Sequence, residues 1–222
     1  MRKLLYVPVL VLFFGCNRRK EKQLKVEIKK ESKYNRLLSK YKEISIDTLK
    51  VYSPEELKDK FNGSELDSAE ATLFPTEIAR QHFNDPPGLF AIYKFAIDNN
   101  RTGLITRTPS EYAPTSIKLF FFDKKKDAIT SYIQLAENWG DAGDYMSEDS
   151  WLFKENNKHL QAFIRIMDGH DNSVDNEKDT NKDESYRYYL LDLSKSNIDT
   201  INKGEKELIK KFDSLIKQKV SR

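Results

Sequence analysis

Between residues 89 and 193 the chain repeats one pattern: a short run of alternating apolar and aromatic residues, a few polar turn residues, then another run. Connections of two to six residues join antiparallel neighbours, because a parallel crossover needs a dozen or more. The pattern therefore predicts an antiparallel meander of six or seven strands, left open or curled into a small barrel. Leu89, Ala91, Tyr93, Phe95 and Ile97 alternate on one face, Asp98-Asn99-Asn100-Arg101 makes a turn, and residues 103–108 return. Ile117, Leu119 and Phe121 point one way while Phe120 and Phe122 point the other, which predicts a strand buried on both faces. Residues 128–138 fit helix or strand by spacing, and their Thr, Tyr and Ile content favours strand. Residues 151–154 and 159–167 pair across Glu155-Asn156-Asn157-Lys158, and residues 186–193 form a last aromatic strand.

Helical signals flank this region. Ser53-Pro54-Glu55-Glu56 has the composition of a helix start, with Asn62-Gly63 as its stop, and a second helix is expected over residues 76–83. Asn202 and Glu205 form a capping box for a final helix whose Leu208, Phe212, Leu215, Ile216 and Lys219 share a face. The expected fold is α+β and β-rich: a meander with short N-terminal helices and a C-terminal amphipathic helix, forming one globular domain over residues 43–222.

The amino terminus follows another grammar. Arg2 and Lys3 precede an apolar core from Leu4 to Phe14, and Gly15-Cys16 follows at once. Cys16 is the single cysteine of the chain, so no disulfide scaffold is possible. No stretch reaches the roughly 18 apolar residues of a membrane span. The segment resembles the signal peptide and lipobox of bacterial lipoproteins, with Phe13-Phe14-Gly15-Cys16 as the lipobox. The resemblance is confined to these sixteen residues. It implies removal of residues 1–15, a diacylglycerol on the Cys16 thiol and a fatty acyl group on the new amine, with no other cofactor. The mature chain would then be lipid-anchored in the cell envelope.

Charge is uneven behind that anchor. Residues 17–42 hold eleven Lys or Arg against Glu21, Glu27 and Glu31, a net of +8, while residues 43–222 carry a net of −7. Residues 16–42 thus read as a lipidated basic tether, attracted to anionic headgroups or simply solvated. Nucleic acid is a poor partner for an acidic body behind an exported anchor. Asn17-Arg18-Arg19-Lys20, basic where some surface-bound lipoproteins are acidic, points to the periplasmic side.

Catalytic signals are missing from the sequence. It has no G-x-S-x-G, no Gly-rich phosphate loop, and His82, His159 and His170 lie far apart, so no catalytic residue is nominated and the chain is not read as an enzyme. Residues 168–184, net −5, read as a flexible acidic hairpin loop. Within it Asp179, Asn181 and Asp183 have the alternating oxygen spacing of calcium loops, but Glu184 stands at the turn Gly and Leu190 at the bidentate Glu. Tyr186, Tyr188 and Tyr189, with Trp139 and Trp151, would line a binding face or the core. The Gly- and Asp-rich segment between the two tryptophans reads as a loop, suited equally to recognition or to a plain connection. These features favour a non-catalytic module binding a protein or polymer of the envelope. The alternative is a lipocalin-like or half-barrel carrier of a hydrophobic ligand.

Overall fold

A computed structural model describes residues 31–53, 60–84, 88–110, 116–156, 159–195, 197–201 and 203–217. The chain divides into two units, Met1–Glu31 and Ser32–Arg222. The second is an 11-stranded, mostly antiparallel open sheet with short helices against it.

Helix α1 (Asn35–Lys40) comes first, then the short strands β1 (Lys42–Glu43), β2 (Thr48–Val51) and β3 (Ser64–Glu65). Helices α2 (Ser68–Ala71) and α3 (Thr76–Asn84) lead into the meander. Its seven long strands are β4 (Phe90–Ala96), β5 (Arg101–Thr108), β6 (Ser116–Asp123), β7 (Ala128–Asp141), β8 (Asp144–Glu155), β9 (His159–Asp171) and β10 (Lys182–Asp192). Strand β11 (Asp199–Thr200) and helix α4 (Glu205–Ile216) follow. Consecutive meander strands pair as neighbours, β1 lies parallel to β4, and β2 and β3 pair with β8 and β4.

Local chemistry fixes the turns. The Asp98 carboxylate accepts from the N–H groups of Asn100 and Arg101 at 2.8 Å each, closing the β4–β5 hairpin. At the β7–β8 turn, Ala142 (φ 49°) and Gly143 (φ 92°) both take positive φ, the geometry that matches strand twist in a two-residue hairpin.

Strand β7 is long enough to serve two neighbours. It pairs with β6 from Ala128 to Glu137 and with β8 from Glu137 to Asp141. The stretch of β8 that β7 leaves, Ser150 to Phe153, pairs instead with β2. Register shifts between Ile117 and Lys118 and between Phe121 and Phe122 bend the sheet there. Arg101, in the first hairpin, donates to the carbonyls of Ser194 and Lys195, just past the last long strand. The sheet therefore curls without closing, because β4 and β10 are not neighbours.

Three apolar clusters result. The first is built from residues such as Val51, Ile105, Ile117, Leu119, Phe121, Leu152 and Ala162. The second packs Tyr34, Leu37 and Tyr41, with Ile78 of α3, on Leu104, Phe120 and Phe122. The third is α4 docked through Leu208 and Phe212 on Trp151, Phe163 and Leu190. As expected, β6 is buried on both faces, and residues 128–138 are strand. The alternation expected from Leu89 to Ile97 breaks at a bulge between Ala91 and Tyr93. Leu89 and Ala91 face the second cluster, whereas Ile92 and Phe95 face the first.

Several expectations need correction. The body begins at Ser32, not at residue 43, because Tyr34, Leu37 and Tyr41 are 3%, 0% and 3% exposed. Arg36 and Lys40, read as tether, pair instead with Asp67 and Glu70 beside α2. Residues 17–31 alone carry net +4, and residues 32–222 carry net −3. The segment between Trp139 and Trp151 is a β-hairpin and not a loop. The N-cap of α4 is Gly204, with no side-chain cap, rather than the expected residue 202; Asn202 itself lies outside the described residues. The helix start expected at residues 54–56 also lies outside them.

Strands β4 and β5 meet most tightly where Phe95 lies across Gly103. A Cβ on Gly103 would come within 2.6 to 3.0 Å of three ring carbons of Phe95, which is 2% exposed and has no room to move. Gly103→Ala should destabilise the body by about 1–3 kcal/mol. Urea unfolding should show a lower midpoint with an unchanged slope.

Candidate functional site

Strand alternation and register place twelve residues on one outer face of β8, β9 and β10. Tyr145, Gly169 and Glu184 form one row; Ser147, Met167 and Tyr186 the next; Asp149, Arg165 and Tyr188 a third; Trp151, Phe163 and Leu190 the last. Helix α4 packs on the last row, and Tyr188 of the third row is partly buried against the same cluster.

A ladder of rings runs out from under that helix. Phe212 stacks on Phe163 at 4.3 Å, Phe163 on Tyr188 at 5.9 Å with the planes 4° apart, and Tyr188 on Tyr186 at 6.5 Å and 14°. Exposure rises along it, from 0% at Phe163 to 41% at Tyr186. The Tyr186 hydroxyl donates to Glu184 Oε2 at 2.8 Å and the Tyr145 hydroxyl to Glu184 Oε1 at 3.2 Å. Tyr145 reaches across Gly169, where a Cβ would lie 2.3 Å from its ring; a glycine is needed at that close approach. The hydrogen bond to Glu184 holds the Tyr186 hydroxyl above its ordinary pKa; at Tyr145 desolvation and then Glu184 do the same. Arg165 pairs with Asp149 at 2.6 Å and lies 5.6 Å from the Trp151 ring centre. The face thus offers ring surfaces flanked by fixed hydroxyls, a carboxylate and a guanidinium, a composition suited to non-covalent recognition.

At the tip beside this face, His170 is held between two carboxylates, Nδ1 to Asp144 at 2.7 Å and Nε2 to Asp175 at 3.0 Å. Those two hydrogen bonds, Asp144 first, raise its pKa. Residues 172–174 form a 3-10 turn, and Asp171 accepts from the N–H and hydroxyl of Ser173. The acidic stretch read as one flexible loop over residues 168–184 therefore contributes strand at both ends and a structured turn between.

A separate polar cluster lies inside the sheet. Lys118 donates through Nζ to Ser116 Oγ at 2.8 Å and Thr108 Oγ1 at 3.2 Å. Glu137 stands opposite both Ser116 on β6 and Glu148 on β8, at the point where β7 changes partner. Gln134 Nε2 donates to Glu137 at 2.5 Å, whereas the carboxylate of Glu148, a residue 8% exposed, has no hydrogen bond or ion pair among the described residues. Burial, reinforced by the Glu137 charge and opposed by Lys118, pushes the Glu148 carboxyl up to about 7. Burial likewise holds the Lys118 ammonium below the ordinary lysine range.

Of the aromatics marked in the sequence, Tyr186, Tyr188 and Trp151 share this face, Trp151 being fully buried in the third cluster, whereas Tyr189 points to the opposite side of β10. Trp139 stands on β7, opposite Met146. Of the calcium candidates, Asn181 donates its side-chain amide to Asp179 Oδ1 at 2.6 Å, and Asp183 accepts from Asn172. No group of three or more His, Cys, Asp or Glu that could hold a metal occurs among the described residues. Tyr145, Arg165, Glu184, Lys118 and Glu148 were not singled out in the sequence, because their grouping depends on register across strands.

Glu148 makes stability depend on pH in a stated direction. Its folded pKa lies above the ordinary glutamate value, so the native state holds a proton that the unfolded chain releases. Its stabilising contribution is complete below the unfolded pKa and is lost as pH rises from about 4.5 through about 7. Lys118, Glu137, Asp149 and Arg187 are the charged groups acting on it. Glu148→Gln should be more stable than the parent at pH 8, by about 1–3 kcal/mol, with the gap closing at pH 4. Urea titrations at the two pH values check both the sign and the window.

Compared with known protein families, with curated proteins and with solved structures, the chain matches none of them.

Proposed function

We propose that the protein is a bacterial lipoprotein, held in the cell envelope by acyl chains on Cys16 and facing the periplasm, whose β-rich body is a non-catalytic binding module. The observation that carries the reading is the position of the single cysteine, directly behind an apolar core and Gly15 at the end of a basic-led leader. Two or three acyl chains, at about 0.8 kcal/mol per buried methylene, suffice for stable anchoring. Among the described residues no helix is long and apolar enough to cross a membrane.

The ring ladder and the fixed groups around Glu184 support a surface that recognises an envelope protein or polymer. Tyr186, exposed but with its ring held by stacking and its hydroxyl by a carboxylate, loses little freedom on binding. Carriage of a hydrophobic ligand draws less support, since buried side chains of β4 to β9 pack together as the first cluster on the sheet's interior.

Metabolic labelling with a fatty-acid analogue tests the anchor. The parent protein should take up label and lose residues 1–15, whereas Cys16→Ser should remain as unlabelled precursor. Normal processing and labelling of Cys16→Ser would remove the basis of the reading.

A further inference from the structure

The last long strand leaves one edge open. Along one side β10 pairs with β9 over its whole length, but on the other only Leu191 and Asp192 pair with β11, with Ile201 N–H reaching the Leu190 carbonyl at 2.8 Å. From Lys182 to Tyr189 no strand of the described residues lies beside that edge. The hydrogen bonds at its ends fix which groups face outward. Leu190 turns its carbonyl to the open side, whereas Leu193 and Asn181 bond to Leu160 and Asn172 on the β9 side. Backbone groups alternate along a strand, so Lys182, Glu184, Tyr186 and Tyr188 direct their N–H and C=O groups outward.

We propose that this edge pairs with the same edge of a second copy of the chain, antiparallel about a two-fold axis at Ser185. Charged residues on an edge usually discourage strand addition. Here the order of charges is self-complementary. With the axis at Ser185, Asp183 of each copy stands opposite Arg187 of the other, Lys182 opposite Tyr188, and Glu184 opposite Tyr186. All four outward-facing residues meet outward-facing residues, each such pair closing two backbone hydrogen bonds. An axis at Tyr186 pairs Asp183 with Tyr189 and sets Lys182 against Leu190, whose carbonyl is already taken. An axis at Glu184 sets the two Glu184 carboxylates against each other. Arg187, now paired with Asp168 at 2.8 Å, would bridge that carboxylate and the second copy's Asp183. The pairing also continues the tyrosine-bearing face from one copy into the next. It uses the strand edge and does not depend on the anchor.

One strand pair is a small interface, so covalent trapping is the suitable test. Ser185 would face its own counterpart in a non-hydrogen-bonded pair, with Cα atoms about 4.5 Å apart, within disulfide reach. In the full chain carrying Cys16→Ser, which leaves no other cysteine, Ser185→Cys should form an intermolecular disulfide under mild oxidation. It should do so at least roughly tenfold faster than Ser131→Cys, an exposed position on β7, because pairing positions the thiols. Adding Asp183→Arg should reduce trapping to the control rate, and adding Arg187→Asp to that variant should restore it. Circular dichroism on each variant confirms folding before the comparison. Trapping at Ser185 no faster than at Ser131, faster trapping with Tyr186→Cys than with Ser185→Cys, failure of the double charge exchange to restore the rate, or trapping in cells of a different protein only, would each overturn the proposal.

Discussion

Strand β6 is the element on which the body turns, because it is apolar on both faces. Ile117, Leu119 and Phe121 enter the first cluster while Phe120 and Phe122 enter the second, and all five are at most 4% exposed. A strand with one wet face needs only one covering layer. This one requires two, and the molecule supplies them from different parts of the chain. The curled half of the sheet covers one side, and α1, α3 and the residues around α2 cover the other. At roughly 1.5–3 kcal/mol for each fully buried large apolar side chain, these two coverings supply much of the driving force for the fold.

That arrangement explains where polar groups were tolerated. At the Ser116 end of β6 the apolar pattern gives way to Lys118, and the register shift beside it lets β7 leave for β8. Lysine, two glutamates and three neutral polar side chains gather at this junction, where β7 changes partner. The Glu148 carboxylate has no hydrogen-bond partner among the described residues, and burial pushes its pKa up to about 7. A feature costing stability above neutral pH at the pivot of the fold is a natural place for a pH response.

The fold was legible wherever a residue's environment is set by its immediate neighbours. Alternation in Ile117 to Phe122, turn chemistry at Asp98 and helical spacing at Leu208 and Phe212 all survive in the structure, since each is local. Errors arose where a distant partner decides. Tyr34, Leu37 and Tyr41 sit among lysines and arginines and look solvated until α2 and β4 to β6 cover them. The hairpin between Trp139 and Trp151 contains Gly, Asp and Ser that suit a loop, yet pairing with β9 makes its second arm a strand. The outer face was half visible: Tyr186 and Tyr188 announce themselves, but Tyr145, Arg165 and Glu184 join them only through the registers of three strands.

The burial of α1 also fixes a length. Under the proposed anchor at Cys16, the segment between lipid and body would be residues 17–31 rather than 17–42, which at full extension would span about 50 Å instead of about 90 Å.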